Sequence, residues 1–216
     1  MEPKELWIRN GLVLTGTGFA AADVAIVGEK ITAVVVRDET PGETSILPPV
    51  ATLRSTPPTP PLPTTGDQPT EVDATGLWVL PGGVDAHVHF GMPLRPGCCS
   101  LGWRESSEAA LLGGTTTVID FANPERGESV NAAVERWLQR AEPDCLCDFG
   151  LHATITEASK GCLAELPSLV ARGVPTFKGF LAYKDRLMLT ASAMERLMRA
   201  VAGCGGKLLV QPKTGR

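Results

Sequence analysis

Apolar positions along the chain fall into two regimes. Over residues 6–36 they come in short runs with strand character. Leu6-Trp7-Ile8-Arg9-Asn10-Gly11 ends in an Asn-Gly pair that predicts a tight turn, and Leu12–Thr15, Ala22–Val27 and Ile31–Val36 follow. Residues 37–70 break the pattern. They hold nine of the eighteen prolines, including Pro57-Pro58-Thr59-Pro60-Pro61-Leu62-Pro63. Such a stretch has too few apolar side chains to offset the entropy of ordering, and it is expected to be an exposed, extended or disordered insertion. Order is expected to resume over Glu71–Leu80.

From residue 81 short apolar runs alternate with helical patterns. The runs are Val84–Phe90, Thr115–Phe121, Phe149–Ile155, Thr176–Leu181 and Lys207–Gln211, and their starts are 31, 34, 27 and 31 residues apart. One strand plus one helix occupies about that length, so the spacing predicts a parallel sheet of about five strands. Val130, Ala133, Val134, Trp137, Leu138 and Ala141 fall on one helical face. Met194, Leu197, Met198 and Val201 form another, after a Ser192-x-x-Glu195 capping box. Gly113-Gly114 and Gly205-Gly206 are placed to end helices. A doubly wound sheet and an eight-stranded barrel both fit this rhythm. No Gly-x-Gly-x-x-Gly follows the first strand, which weakens a dinucleotide-binding reading. Two domains are expected: residues 1–80, β-rich and carrying the insertion at 37–70, and residues 81–216, built of βα units.

Composition narrows the partners. The 216 residues carry a net charge of -4, with 43% hydrophobic and 20% charged positions, as in an ordinary globular protein. No basic excess exists to attract nucleic acid or an anionic membrane. Met1–Glu5 is charged and leads into no signal-like stretch, and no apolar run could span a bilayer, so the cytoplasm is the expected compartment. The six cysteines form no Cys-x-x-Cys pair and are expected to be reduced thiols.

Two places carry chemistry. His87 and His89, two apart on an expected strand, would share a face and could bind metal; two structural histidines at a strand end are the alternative. Asp85 lies on the same face and could support them by hydrogen bonding. Lys178 sits inside Phe177-Lys178-Gly179-Phe180-Leu181. An amine buried there has a lowered pKa and can react with carbon dioxide to give an anionic carbamate, whereas a lysine at the strand end would reach for water. His152 reads as structural rather than as a ligand, and Asp120, which ends the second strand, could hydrogen-bond near the site or be structural. Cys98-Cys99 are given no catalytic role.

Three segments together resemble the dihydropyrimidinase/hydantoinase family of the amidohydrolase superfamily. They are Pro81–Phe90, Gly113-Gly114-Thr115-Thr116-Thr117-Val118-Ile119-Asp120-Phe121 and Phe177–Asp185, in that order and at family-like spacing. The resemblance covers residues 6–36 and 71–210. It implies an α/β fold: a partial (β/α)8 TIM-type barrel of about five strands, beside the N-terminal piece of a small β-sandwich domain. It implies a hydrolase that opens dihydropyrimidine or hydantoin rings to N-carbamoyl amino acids, with two divalent ions, zinc in most relatives. His87 and His89 would bind the more buried ion. Lys178, carboxylated by carbon dioxide, would bridge both, and Tyr183 would hydrogen-bond the substrate and stabilise the oxyanion. A barrel aspartate would shuttle the proton to the leaving nitrogen. Phe90-Gly91-Met92-Pro93-Leu94 resembles the hydantoinase type rather than the dihydroorotase type, which carries an arginine here, and so implies an uncharged ring. A homotetramer is implied for a full-length member.

The chain departs from that pattern at its fifth strand. The family has a metal-binding histidine in His-Ala-Glu-Asn-Gly, where this chain has Gln211-Pro212-Lys213-Thr214-Gly215. Glutamine is a poor zinc ligand. If the motif is written CAC GCC GAA AAC GGG, loss of the third base gives CAG CCG AAA ACG GG, which encodes Gln-Pro-Lys-Thr-Gly. A one-base frameshift followed by an early stop is therefore the expectation, and the coding DNA checks it. With 139 residues from Trp78 onward against about 250 for a typical barrel, the chain is expected to be truncated, to leave sheet edges open and to show no turnover. A non-catalytic scaffold related to dihydropyrimidinases, or an inactive fragment, are the competing readings.

Overall fold

A computed structural model of the chain describes residues 5–37, 70–95, 98–184 and 186–212. The insertion expected at 37–70 lies almost wholly outside them. The chain divides into two compact units, Met1–Pro81 and Gly82–Arg216.

The first unit is a mixed five-stranded sheet. Strand β1 (Glu5–Thr15) pairs antiparallel with β2 (Gly18–Val27), which pairs antiparallel with β3 (Lys30–Val36). Strands β4 (Thr70–Asp73) and β5 (Trp78–Val79) both lie parallel to β1. Val13, Ala22 and Val24 form its small core with Ile8, Ile26 and Val79 against them. The Asn-Gly pair is not the turn that the sequence predicts. Asn10 and Gly11 form a bulge inside one long strand, and the hairpin turn comes after Thr15. Asn10 takes φ 62°, held by its N–H on Asp23 Oδ1 at 2.8 Å and its amide on Asp73 Oδ1 at 3.0 Å. Gly11 is required because a Cβ there would press on the Val79 side chain.

The second unit is a parallel sheet in the order β12-β11-β10-β9-β6. Its strands are β6 (Gly83–Asp85), β9 (Thr115–Ala122), β10 (Asp148–Ile155), β11 (Thr176–Phe180) and β12 (Lys207–Gln211). A short hairpin, β7 (Pro93–Arg95) with β8 (Cys98–Cys99), follows β6. Between strands run α1 (Trp103–Leu112), α2 (Val130–Ala141), α3 (Lys160–Ala171) and α4 (Ala191–Gly203). Each strand neighbours the next in sequence, with no reversal of order. A doubly wound sheet must reverse, so the order decides for the barrel-type winding that spacing left open. The fold is a five-stranded portion of such a barrel with a separate mixed sheet.

Local sequence explains the helices. Ser129, Ser159 and Thr190 each accept an N–H from the first turn, at Ala132, Cys162 and Ala193. The cap of α4 is thus Thr190, and Ser192 lies within the helix instead of opening a capping box. Val130, Ala133, Val134, Trp137 and Ala141 are buried as their spacing predicts. Met198, expected on the buried face of α4, is exposed, because Ala193, Met194, Leu197 and Val201 already fill the contact with the sheet. Gly114 and Gly205, both at positive φ, turn the chain from helix to strand.

The β9–α2 connection is pinned by one arginine. Arg136 donates through Nε to Glu128 Oε1 at 2.9 Å, and through Nη2 to Glu128 Oε2 at 2.6 Å and the Asn123 carbonyl at 3.0 Å. Its guanidinium holds the Glu128 carboxyl down at about 2. A depressed acid stabilises the fold fully above its usual 4.5 and loses that effect as pH falls toward 2. Glu128→Gln is expected to cost about 1 kcal/mol at neutral pH. In chemical denaturation the gap from the parent should close as pH falls below 4.5; a gap that is independent of pH would contradict the assignment.

Candidate active site

The C-terminal ends of the parallel strands gather the chemically distinctive residues around one aromatic ring. Phe121, near the end of β9, is 1% exposed. The His87 ring lies 4.5 Å from it between centroids, His89 5.0 Å and His152 4.8 Å. Lys178 Nζ lies 4.6 Å from the same centroid.

His87 and His89 do not sit on the strand itself, which ends at Asp85. The next residues still track β9, with the Val88 N–H donating to the Ile119 carbonyl at 3.2 Å. Val88 is buried, and the two flanking imidazoles meet edge to face at 5.2 Å. Polar side chains replace the missing ladder. Asp85 Oδ1 accepts the His87 N–H at 3.0 Å, Asp120 Oδ2 accepts the Phe90 N–H at 3.0 Å, and Ser100 Oγ donates to the His89 carbonyl at 2.6 Å. Asp85 therefore supports the His87 backbone; no hydrogen bond joins it to either imidazole ring among the described residues.

His152 has both nitrogens committed. Nε2 donates to the Ala86 carbonyl at 2.9 Å, which leaves Nδ1 to accept from the Thr176 hydroxyl. That ring carries no free lone pair and fixes the backbone just ahead of His87.

Burial sets the electrostatics. Withdrawal from water lowers the pKa of His87 and of His89, and positive charge on Lys178 adds to both. Withdrawal from water also lowers the Lys178 amine, with no carboxylate offsetting it. Burial raises Asp120 to about 6, against the N–H groups of Phe121 and Phe90 that stabilise its anion. His89 Nδ1 is buried without a hydrogen-bond partner, 3.9 Å from Asp120 Oδ1. A neutral imidazole and a deprotonated amine have lone pairs to offer, and the lowered pKa values favour those forms, so this donor set fits a divalent ion. Among the described residues no three His, Cys, Asp or Glu side chains converge as a metal site by themselves, so Lys178 or a further donor is needed.

Tyr183 joins His89 in the wall of a cavity of about 450 Å³. It lies just past β11 at φ 65°, a left-handed conformation costing about 1 kcal/mol for a residue with a Cβ. Its carbonyl holds the turn by accepting the N–H of Leu187 at 3.0 Å and of Arg186 at 3.1 Å. Gln211 ends β12 opposite Phe180 in register, and its carbonyl accepts the Leu181 N–H at 2.9 Å. A larger cavity, about 640 Å³, opens at the N-termini of α2 and α3 but contains neither histidine, nor Lys178 or Tyr183. Phe121, Ser100 and the Ala86 carbonyl escaped the sequence reading. Only Phe121 left a trace there, as the apolar end of the second barrel strand.

The sequence profile of the amidohydrolase family matches residues 78–201. The chain belongs to the amidohydrolase family. It is 32% identical to the D-hydantoinase of Geobacillus stearothermophilus over 96% of its own length and 39% of that protein's. It is 35% identical to the dihydropyrimidinase of Rattus norvegicus over 90% of its length and 34% of that protein's. The crystal structure of dihydropyrimidinase from Brevibacillus agri NCHU1002 superposes with a TM-score of 0.78 at 31% identity, covering 98% of this chain and 40% of the other. The resemblance to hydantoinases and dihydropyrimidinases seen in the motifs is thus borne out. The chain spans about two fifths of the length of the bacterial relatives it matches.

A buried amine with no counter-charge weakens the fold. Lys178→Met is expected to stabilise the metal-free protein at neutral pH by about 1 kcal/mol. The folded amine has a lowered pKa, so its penalty is full below that value and fades as pH rises to the usual 10.5. Denaturation curves should show the advantage of Lys178→Met shrinking with rising pH; a destabilised variant would mean that the ammonium has a favourable partner.

Proposed function

We propose that this site serves a metal-dependent cyclic amidohydrolase that opens dihydropyrimidine or hydantoin rings to N-carbamoyl amino acids. The observation that carries the reading is the convergence of His87, His89 and Lys178 on Phe121, beside a cavity that also holds Tyr183. His87, His89 and a carboxylated Lys178 would hold two divalent ions, zinc by resemblance to the family. When bound, such ions polarise a carbonyl and lower the pKa of water.

The chain's own residues would do the rest. The lowered amine pKa leaves part of Lys178 neutral, and only the neutral amine attacks carbon dioxide. That step joins nitrogen to carbon and releases one proton. His152 and Asp85 hold the His87 backbone, which fixes the imidazole without using its lone pairs. Tyr183, more than half exposed at 55%, faces a cavity large enough for a five- or six-membered ring. Its hydroxyl would donate to the ring carbonyl oxygen as negative charge develops there. Water oxygen adds to the carbonyl carbon, the ring C–N bond breaks, and the departing nitrogen takes a proton. For the complete protein we propose the cytoplasm as compartment, a homotetramer as assembly and no nucleic-acid or membrane partner. No described helix is long and apolar enough to cross a membrane.

A second reading has one observation behind it. Gln211 stands where the family motif has a metal-binding histidine, which favours a dihydropyrimidinase-like scaffold without catalysis.

Zinc analysis in the presence of bicarbonate separates the two. The catalytic reading expects zinc on the protein, its loss in His87→Ala and His89→Ala, and about tenfold or more tighter binding in Gln211→His. In the complete protein, Tyr183→Phe should lower kcat for dihydrouracil by about 10²–10³ while leaving zinc content unchanged. Zinc content indifferent to both histidines would leave the scaffold reading.

A further inference from the structure

The cavity shared by His89 and Tyr183 has a wall that the ring chemistry does not use. Three arginines reach it: Arg136 and Arg140 from α2, and Arg186 from the turn that Tyr183 opens. Arg136 is engaged within the protein. Both Glu128 oxygens and the Asn123 carbonyl take its N–H groups, and Glu125 lies 3.6 Å away. Arg140 and Arg186 are different. Among the described residues neither makes an ion pair. Arg140 instead lies over the Trp137 ring, 5.2 Å from its centroid. The one acidic residue in the lining, Glu125, is already beside Arg136.

The wall therefore carries two guanidiniums that form no ion pair among the described residues, with Glu128 within electrostatic range of Arg140. Phe180, Trp137 and Leu187 line the same space, and apolar surroundings strengthen a charge–charge interaction relative to open water. A guanidinium presents paired N–H donors that match the two oxygens of a carboxylate. We propose that the ring opened at this site carries a carboxylate on its substituent, held by Arg140 and Arg186 while the ring carbonyl faces His89 and Tyr183. The inference rests on the cyclic-amide reading of the site. It adds an anionic arm to the uncharged ring that the segment after His89 implies.

The test compares a hydantoin bearing a propionate on its ring carbon with its propionamide counterpart, which differs in charge but hardly in shape. Calorimetric titration of the protein should show the acid binding about tenfold or more tighter than the amide. Arg140→Gln with Arg186→Gln should erase that preference, and the double lysine variant should keep part of it, which guards against simple loss of fold. Equal binding of acid and amide, a preference that survives the double glutamine variant, or binding of neither compound would overturn the inference. Turnover in the complete protein tests the underlying reading separately. An acid bound through the arginines but never hydrolysed leaves the anion site standing and removes the amidohydrolase reaction.

Discussion

The ring of Phe121 is the fixed point around which the candidate site is arranged. It is buried, and His87 and His89 after β6, His152 on β10 and Lys178 on β11 all lie about 4.5–5 Å from it. A rigid apolar plate at that position has two consequences. It sets the distances between the polar groups, because each can approach only as far as the ring allows. It also removes water from one side of every one of them, which lowers the basicity of the two outer histidines and of the lysine.

Those consequences oppose each other in stability and in function. A buried amine without a carboxylate weakens the fold, and the buried His89 Nδ1 without a hydrogen-bond partner does the same. His152 marks the contrast. It lies against the same ring, yet both its nitrogens are satisfied within the protein and it carries none of that tension. Structural and chemically available histidines are thus distinguished by their partners, not by their positions relative to Phe121.

Periodicity made the strand–helix alternation of the second unit readable, because burial on both faces of a parallel strand writes itself as an apolar run. Its direction of winding was not readable, since strand spacing is the same in a barrel and in a doubly wound sheet. The site was legible where an unusual residue type stood in an apolar setting, as at Lys178, or where a pair was spaced by two, as at His87 and His89. It was not legible where backbone groups decide the outcome. The strand stops at Asp85 because that carboxylate takes the His87 N–H, and Asn10-Gly11 bulges instead of turning because Asp23 and Asp73 capture Asn10. Long-range partners of this kind leave no local pattern. Met198 shows the same limit on a helix, where a continuous stripe predicts burial but the sheet covers only part of it.

In the proposed site Lys178 is a buried amine of lowered basicity that reacts with carbon dioxide beside two imidazoles able to bind metal. Nuclear magnetic resonance of the zinc-treated protein in isotope-labelled bicarbonate tests it most directly. The account predicts a carbamate carbon signal that disappears in Lys178→Ala and weakens when His87 and His89 are both replaced. Absence of any carbamate signal from the parent protein, or a signal indifferent to Lys178, would contradict it.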